Sequence, residues 1–308
     1  MRVVVTGAKG MVGKAMVQRL LERGDDVVAL TRDVAGCPQH WLGRVDCRAV
    51  GYERESLRSA LHGADAVIHL AAARPTPQAE AAGYRAYADT NVAITEELLR
   101  TAAEEGVATF CQASSISVYS PANALPYRET DYPWPASHYG LSKVVCEQLA
   151  NLISQRTGIR AVSLRLARVL GQDDCAGSYM LMKFIRLARE GRPLTIFGEG
   201  NDGRDTVYVK DVVGAFESAL AADAVAGVFN IGGGRSFFHR EIAEAINEVF
   251  GNTGNLVHDH SWRDTGESFF MDCSRAELDL GWQRRWTLRS GLEDMRRAYA
   301  DDARPVTP

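Results

Sequence analysis

Hydrophobic and polar positions change period along this chain, and the period predicts its elements. Arg2–Thr6 carries the unbroken apolar run Val3-Val4-Val5, the pattern of a strand covered on both faces. Residues 7–13 form a glycine-rich turn. Met16, Val17, Leu20 and Leu21 then recur at helical spacing until Gly24 ends them. Residues 27–30, 66–70 and 108–113 read as further buried strands, and in Arg160–Leu166 the apolar Val162, Leu164 and Leu166 alternate with Ala161, Ser163 and Arg165. Strands separated by helical stretches of this length are βαβ units, which predicts an α/β fold built on a doubly wound parallel sheet.

Beyond Gly171 the rhythm loosens. A helix over residues 179–190, a Gly/Asp-rich turn at 198–203, a short strand at 206–209 and helices over 239–250 and 288–299 follow. This divides the chain into a nucleotide-binding domain at 1–171, with 206–231 returning to it, and a smaller α/β substrate lobe over 172–308. Prolines 121, 126, 133 and 135 crowd into one segment, marking a long loop of the kind that is commonly functional.

Composition narrows the classes. With 46% hydrophobic and 24% charged residues over 308 positions, the chain reads as an ordinary globular protein of about two domains. A net charge of -4 without a long basic run argues against nucleic acid as a partner. No apolar stretch approaches the ~18 residues of a membrane span, and Met1-Arg2 leads straight into a strand, so we expect no membrane association and a cytoplasmic protein. The 6 cysteines contain no Cys-x-x-Cys pair, which fits reduced thiols and no zinc site. His258-Asp259-His260 lacks a third ligand at matching spacing, so no metal is expected.

The glycine turn carries the first candidate chemistry. It follows a strand and opens a helix, where glycines let the backbone approach a pyrophosphate whose charge rests on the helix N-terminus. The position after the second strand, which holds an acid in enzymes that use NAD, is Thr31, followed by Arg32. Arg32 can pair with the 2′-phosphate of NADP and Lys9 can add charge, so NADP is favoured over NAD. The second candidate is Tyr139 with Lys143, four apart on a helix that Ser137 caps. A tyrosine near pKa 10 is a poor base at neutral pH, and a neighbouring ammonium favours its phenolate.

The spacing Gly7-x-x-Gly10-x-x-Gly13 resembles that of extended short-chain dehydrogenase/reductases, the sugar-nucleotide epimerase/dehydratase family. The resemblance continues through 65–72, Asn91-Val92, Ser114-Ser115-x-x-Val118-Tyr119, Tyr139-Gly140-x-Ser142-Lys143, Arg204-Asp205-x-Val207-Tyr208-Val209-x-Asp211, 229–232 and Leu280-Gly281-Trp282, covering nearly the whole chain in order. It implies a Rossmann-type fold and a cofactor held by Gly7, Lys9, Gly10, Met11, Val12, Gly13, Thr31, Arg32, Leu70, Ala71, Ala72, Asn91, Tyr139 and Lys143. It also implies that Tyr139 exchanges the proton of a sugar hydroxyl or ketone, that Lys143 holds the nicotinamide ribose, and that Ser115 binds the substrate oxygen with Ser114 as its understudy. Arg204 and Arg263 would contact a substrate diphosphate, joined by Arg168 where relatives often carry Asn. Met180 stands where a second Asn is usual.

Dehydratases of this family place an Asp-Glu pair after the catalytic Ser/Thr, and here Ile116-Ser117 follows Ser115. The decarboxylating relatives' glutamate is absent too. We therefore expect an epimerase or ketoreductase of a nucleotide sugar, and a homodimer. A reductase of a small ketone or aldehyde is a more distant reading. A non-catalytic NADP sensor is disfavoured by the presence of Ser115, Tyr139 and Lys143 together.

Overall fold

The computed structural model describes residues 1–172 and 180–302. Tyr179, the expected helix start, and Cys175 lie outside the described residues. The strands are β1 (Arg2–Thr6), β2 (Asp26–Thr31), β3 (Val45–Ala49), β4 (Ala66–His69), β5 (Thr109–Ser115), β6 (Arg160–Leu166), β7 (Arg168–Leu170), β8 (Leu194–Phe197), β9 (Gly203–Tyr208), β10 (Gly227–Ile231), β11 (Ser236–Phe238), β12 (Leu256–Asp259) and β13 (Ser268–Phe269). Seven form one parallel sheet in the order β10-β6-β5-β4-β1-β2-β3. The fold is Rossmann-type. The chain works outward from β1 through β2 to β3, then returns to β4 on the other side of β1. Ligands bind at such a reversal, outside the carboxyl ends of the strands.

Side-chain alternation divides the core between the two faces of this sheet. Val3 and Val5 point to one side, where they join Met16, Val17 and Leu20 of the helix Met11–Glu22 and Phe216 of the helix Val209–Ala221. Val4 points to the other, among Leu57, Leu98, Leu99 and Phe110, under the helices Arg54–Leu61 and Ala93–Glu104. Each such side chain contributes about 1.5–3 kcal/mol on burial. Strand β3 escapes the hydropathy pattern because it is an edge strand, in which Asp46 and Arg48 interrupt the apolar positions.

After β7 the chain builds a lobe around Phe184, Ile185, Leu194, Ile242, Ile246 and Met295. There β9 pairs with β7 and β13 in parallel and with β11 antiparallel, while β8 pairs with β12. The chain re-enters the large sheet at β10, beside β6. None of the described helices is long and apolar enough to cross a membrane.

Candidate active site

At the reversal of strand order, the ends of β1 and β4 are welded by one hydroxyl. Thr6 Oγ1 accepts the backbone N–H of Leu70 at 3.2 Å and of Ala71 at 3.1 Å, and lies 2.7 Å from His69 Nδ1. The three glycines that follow do different work. Gly7 has φ +66°, and a Cβ there would stand 2.7 Å from Ala71 N; one on Gly13 would stand 2.2 Å from Gly7 O. Both positions let strand, turn and helix close on one another. Gly10 differs, since its added Cβ would meet only Gly7 O, at 3.2 Å. Gly10 is the N-cap of the helix Met11–Glu22 without a side-chain capping bond, so the helix's first N–H groups are available to an anion. This cradle fits a dinucleotide pyrophosphate.

The turn lines a cleft of about 1020 Å³. The cleft gathers Gly7, Lys9, Gly10, Met11, Val12, Gly13, Thr31, Arg32, Leu70, Ala71, Ala72, Ser114, Ser115, Tyr139, Lys143, Arg168 and Arg204. Two expected residues do not line it. Asn91 is buried: its Oδ1 accepts Ala73 N–H at 2.7 Å and its Nδ2 donates to Ser142 Oγ at 3.0 Å. It therefore ties the loop after β4 to the helix His138–Thr157 instead of meeting a ligand. Arg263 borders a separate hollow of about 410 Å³ with Gly198, His260, Trp262 and Asp264.

Local packing presents the Ser/Tyr/Lys set. Ser137 Oγ accepts Gly140 N–H at 3.0 Å and starts the helix His138–Thr157. A Cβ on Gly140 would lie 2.1 Å from Ser117 O, so this glycine lets the helix start press directly on the turn after Ser115. Ser115 Oγ accepts Ser117 N–H at 3.1 Å, leaving its proton to donate. One helical turn beyond Tyr139, Lys143 is buried, donates to Ala113 O at 2.9 Å and sits 5.8 Å from the Tyr139 ring centroid. Glu80, which the pattern gave no reason to single out, accepts from Tyr139 N at 3.4 Å and from the Tyr87 hydroxyl at 2.9 Å.

Ser114 is engaged elsewhere. Its hydroxyl donates to Glu147 Oε1 at 2.5 Å, so it does not stand ready as an understudy to Ser115. Glu147 in turn grips Arg165 through two bonds of 3.0 and 2.7 Å, and Arg165 donates to the Tyr119 hydroxyl at 2.7 Å. Both side chains of this ion pair are almost fully buried, at 3% and 1% exposure. The available signals were faint: Glu147 lies four residues beyond Lys143, and Arg165 is a charge among the apolar positions of β6. His69 bridges Thr6 and Thr95. Burial, reinforced by the Lys143 ammonium, holds its pKa down at about 3, so it is neutral.

At the cofactor end, Thr31 donates to Asp33 O at 2.6 Å and the Asp33 carboxylate accepts Ala35 N–H at 2.8 Å. The Lys9 ammonium donates to Asp33 O and Ala35 O at 2.7 and 2.8 Å. Lys9 thus holds this loop in place, and Arg32 is exposed beside it. At the opposite end, Arg204 stacks 4.8 Å over Phe269, donates to Gly203 O at 2.8 Å and approaches Glu267 at 3.6 Å. Asp205 accepts the backbone N–H of Gly233 and Met271, and Asp211 those of Arg285 and Trp286. Burial pushes Asp205 up to about 6.

Residues 3–232 match the model of the NAD dependent epimerase/dehydratase family. The chain belongs to this family. It is accordingly an NAD(P)-dependent enzyme of the extended short-chain dehydrogenase/reductase type. It is 28% identical to the low-salt glycan biosynthesis protein Agl12 of Haloferax volcanii, covering 95% of this chain and 96% of that one. Among solved structures it resembles the UDP-N-acetylglucosamine 4-epimerase from Bacillus cereus, with TM-score 0.87 and 29% identity over 100% of this chain and 99% of that one. It also resembles the UDP-glucuronic acid 4-epimerase from Bacillus cereus in complex with UDP-glucuronic acid and NAD, with TM-score 0.82 and 25% identity over 97% and 100% of the two chains.

Proposed function

We propose that this enzyme acts on a nucleotide sugar at C4, as a 4-epimerase. One observation carries the reading: Ser115, Tyr139 and Lys143 line the same cleft as the phosphate-binding turn and as Arg168 and Arg204. Tyr139 takes and returns the proton of the C4 hydroxyl, Ser115 donates a hydrogen bond to the same oxygen, and Lys143 holds the ribose next to the nicotinamide. The bound dinucleotide supplies the hydride acceptor and donor. Two guanidiniums suit a diphosphate because each can meet phosphate oxygens in bidentate fashion. The 4-epimerase activity of the two solved relatives supports the choice of reaction.

The cofactor we propose is NADP. Arg32 is exposed in the cleft after Thr31, and the carboxylate next in sequence, Asp33, is engaged by its own loop. That choice also favours a second reading, a ketoreductase that consumes NADPH. Incubating the enzyme with a panel of UDP- and dTDP-sugars tests both readings. Epimer formation followed by NMR without net NADPH oxidation is the expected result, stoichiometric NADPH loss would replace it by the second reading, and inertness toward every sugar would reject both.

We further propose a homodimer through the outer face of the helix His138–Thr157, where Leu141 and Leu152 are each 41% exposed on one stripe. A monomeric mass in light scattering would reject it.

A further inference from the structure

The segment after β4 reaches the start of the helix that carries Tyr139 and Lys143. It lines the cleft with Ala73, Arg74 and Pro75, and Asn91 holds it at Ala73 through both amide atoms, at 2.7 and 3.3 Å. Thr76 Oγ1 then accepts Ala79 N–H at 3.1 Å and, with Pro77 after it, starts the short helix Pro77–Ala81. This helix delivers Glu80 to the first turn of the helix His138–Thr157, whose leading N–H groups have no partner within the helix. Ser137 takes one of them, that of Gly140. Glu80 Oε1 accepts another, that of Tyr139, at 3.4 Å, while its Oε2 lies 3.3 Å from His138 Nδ1. A carboxylate suits this place, because it meets the positive end of the helix dipole.

The same Oε1 accepts the Tyr87 hydroxyl at 2.9 Å. Tyr87 is fully buried, and its ring stands edge-on to that of Tyr139, with centroids 6.0 Å apart and planes at 63°. One oxygen therefore holds both the backbone of Tyr139 and the ring against which the Tyr139 side chain leans. Burial works to raise the Glu80 pKa, yet the bonds from Tyr87, Tyr139 and His138 outweigh it and keep the carboxyl below its usual range, so it is ionised at neutral pH. Glu80 itself does not line the cleft. We propose that Glu80 is a positioning residue for the proton transfer, fixing the Tyr139 ring in the cleft through Tyr139 N–H and the Tyr87 hydroxyl. This rests on the assignment of the proton to Tyr139. Its weight follows from geometry, since a misplacement of about 1 Å at a reacting group can cost about 10²-fold in rate.

The test is steady-state kinetics on whichever UDP- or dTDP-sugar of the panel wild type converts fastest. Glu80→Met keeps the length of the side chain and removes its acceptors. It should lower kcat by about 10- to 100-fold while KM and dinucleotide affinity stay within about threefold. Glu80→Gln should restore kcat to within about threefold, because its carbonyl replaces Oε1 and its amide donates to His138. The Glu80 side chain is 34% exposed, so these variants should fold, and Glu80→Ala is read in place of the methionine variant if that one does not. In a Tyr139→Phe background, Glu80→Met should cost less than about threefold more, since the ring it aligns no longer carries the hydroxyl. A full loss in that background, or a glutamine variant as slow as the methionine one, would overturn the positioning role. If Glu80→Met turns over like wild type while Tyr139→Phe does not, the role of Glu80 falls and the Tyr139 reading stands. If Tyr139→Phe also matches wild type, or wild type converts none of the panel, both fall.

Discussion

His69 shows how one buried residue can make the whole protein sensitive to acid. In the folded state it stays neutral down to about pH 3, whereas in the unfolded chain it takes up a proton near its ordinary pKa of 6.5. Between those values the unfolded state binds more protons, so this residue's contribution is present above pH 6.5 and is lost as pH falls. At about 1.36 kcal/mol per pH unit, the loss from pH 7.5 to pH 5 should approach 2 kcal/mol. His69→Gln, which cannot titrate, should flatten that portion of a urea-denaturation series; an unchanged slope would contradict the assignment. Gly10 permits a second check at this scale. Gly10→Val should leave the fold intact, because an added Cβ would meet only Gly7 O, at 3.2 Å, yet weaken cofactor binding measured by fluorescence titration, since Gly10 lines the cleft. Gly7 and Gly13 variants should instead lose stability. The spacing of the three glycines was legible in the sequence, but their division of labour was not, because it depends on which backbone atoms each would strike.

At the scale of elements, the helix His138–Thr157 and the strands β5 and β6 are joined by Ser114, Glu147 and Arg165. Leaving one charge of a buried pair without its partner typically costs about 3–5 kcal/mol, far more than the pair adds over an apolar replacement. Glu147→Gln should therefore lower the unfolding free energy by about that amount, and Glu147→Leu combined with Arg165→Met should recover most of it in guanidinium denaturation. Equal stabilities of all three proteins would mean that the pair is solvated. The helix, the strands and their order were readable from apolar periodicity and βαβ spacing. The ion pair was not, since an Arg in a strand and a Glu on a helix acquire meaning only when tertiary packing brings them together. Asn91 failed for a related reason: its place in a motif did not distinguish a ligand contact from a brace behind the site. Arg263 shows the other limit, because no local pattern tells into which hollow a loop residue will fall.

For the whole molecule, the cleft runs along the carboxyl ends of β1, β2, β4 and β5 and meets the lobe at β7 and β9. On the proposed function this separates a cofactor end from a substrate end, and each can be perturbed alone. Arg32→Ala should weaken NADP binding roughly tenfold or more, as expected for a charge-assisted contact of about 1.5–3 kcal/mol, and leave NAD binding nearly unchanged. Equal affinity of wild type for the two dinucleotides would contradict the NADP assignment.

The central claim is that Tyr139 moves the proton at a sugar carbinol, and one hydroxyl tests it. Tyr139→Phe keeps the ring edge against Tyr87 and the helix that Ser137 caps, so the protein should fold and bind its dinucleotide as before. The decisive measurement is its turnover number, beside wild type, on the nucleotide sugar that wild type converts. A fall of about 10²- to 10⁴-fold, the contribution typical of general acid–base catalysis, is the predicted result. Turnover within a few-fold of wild type would contradict the account.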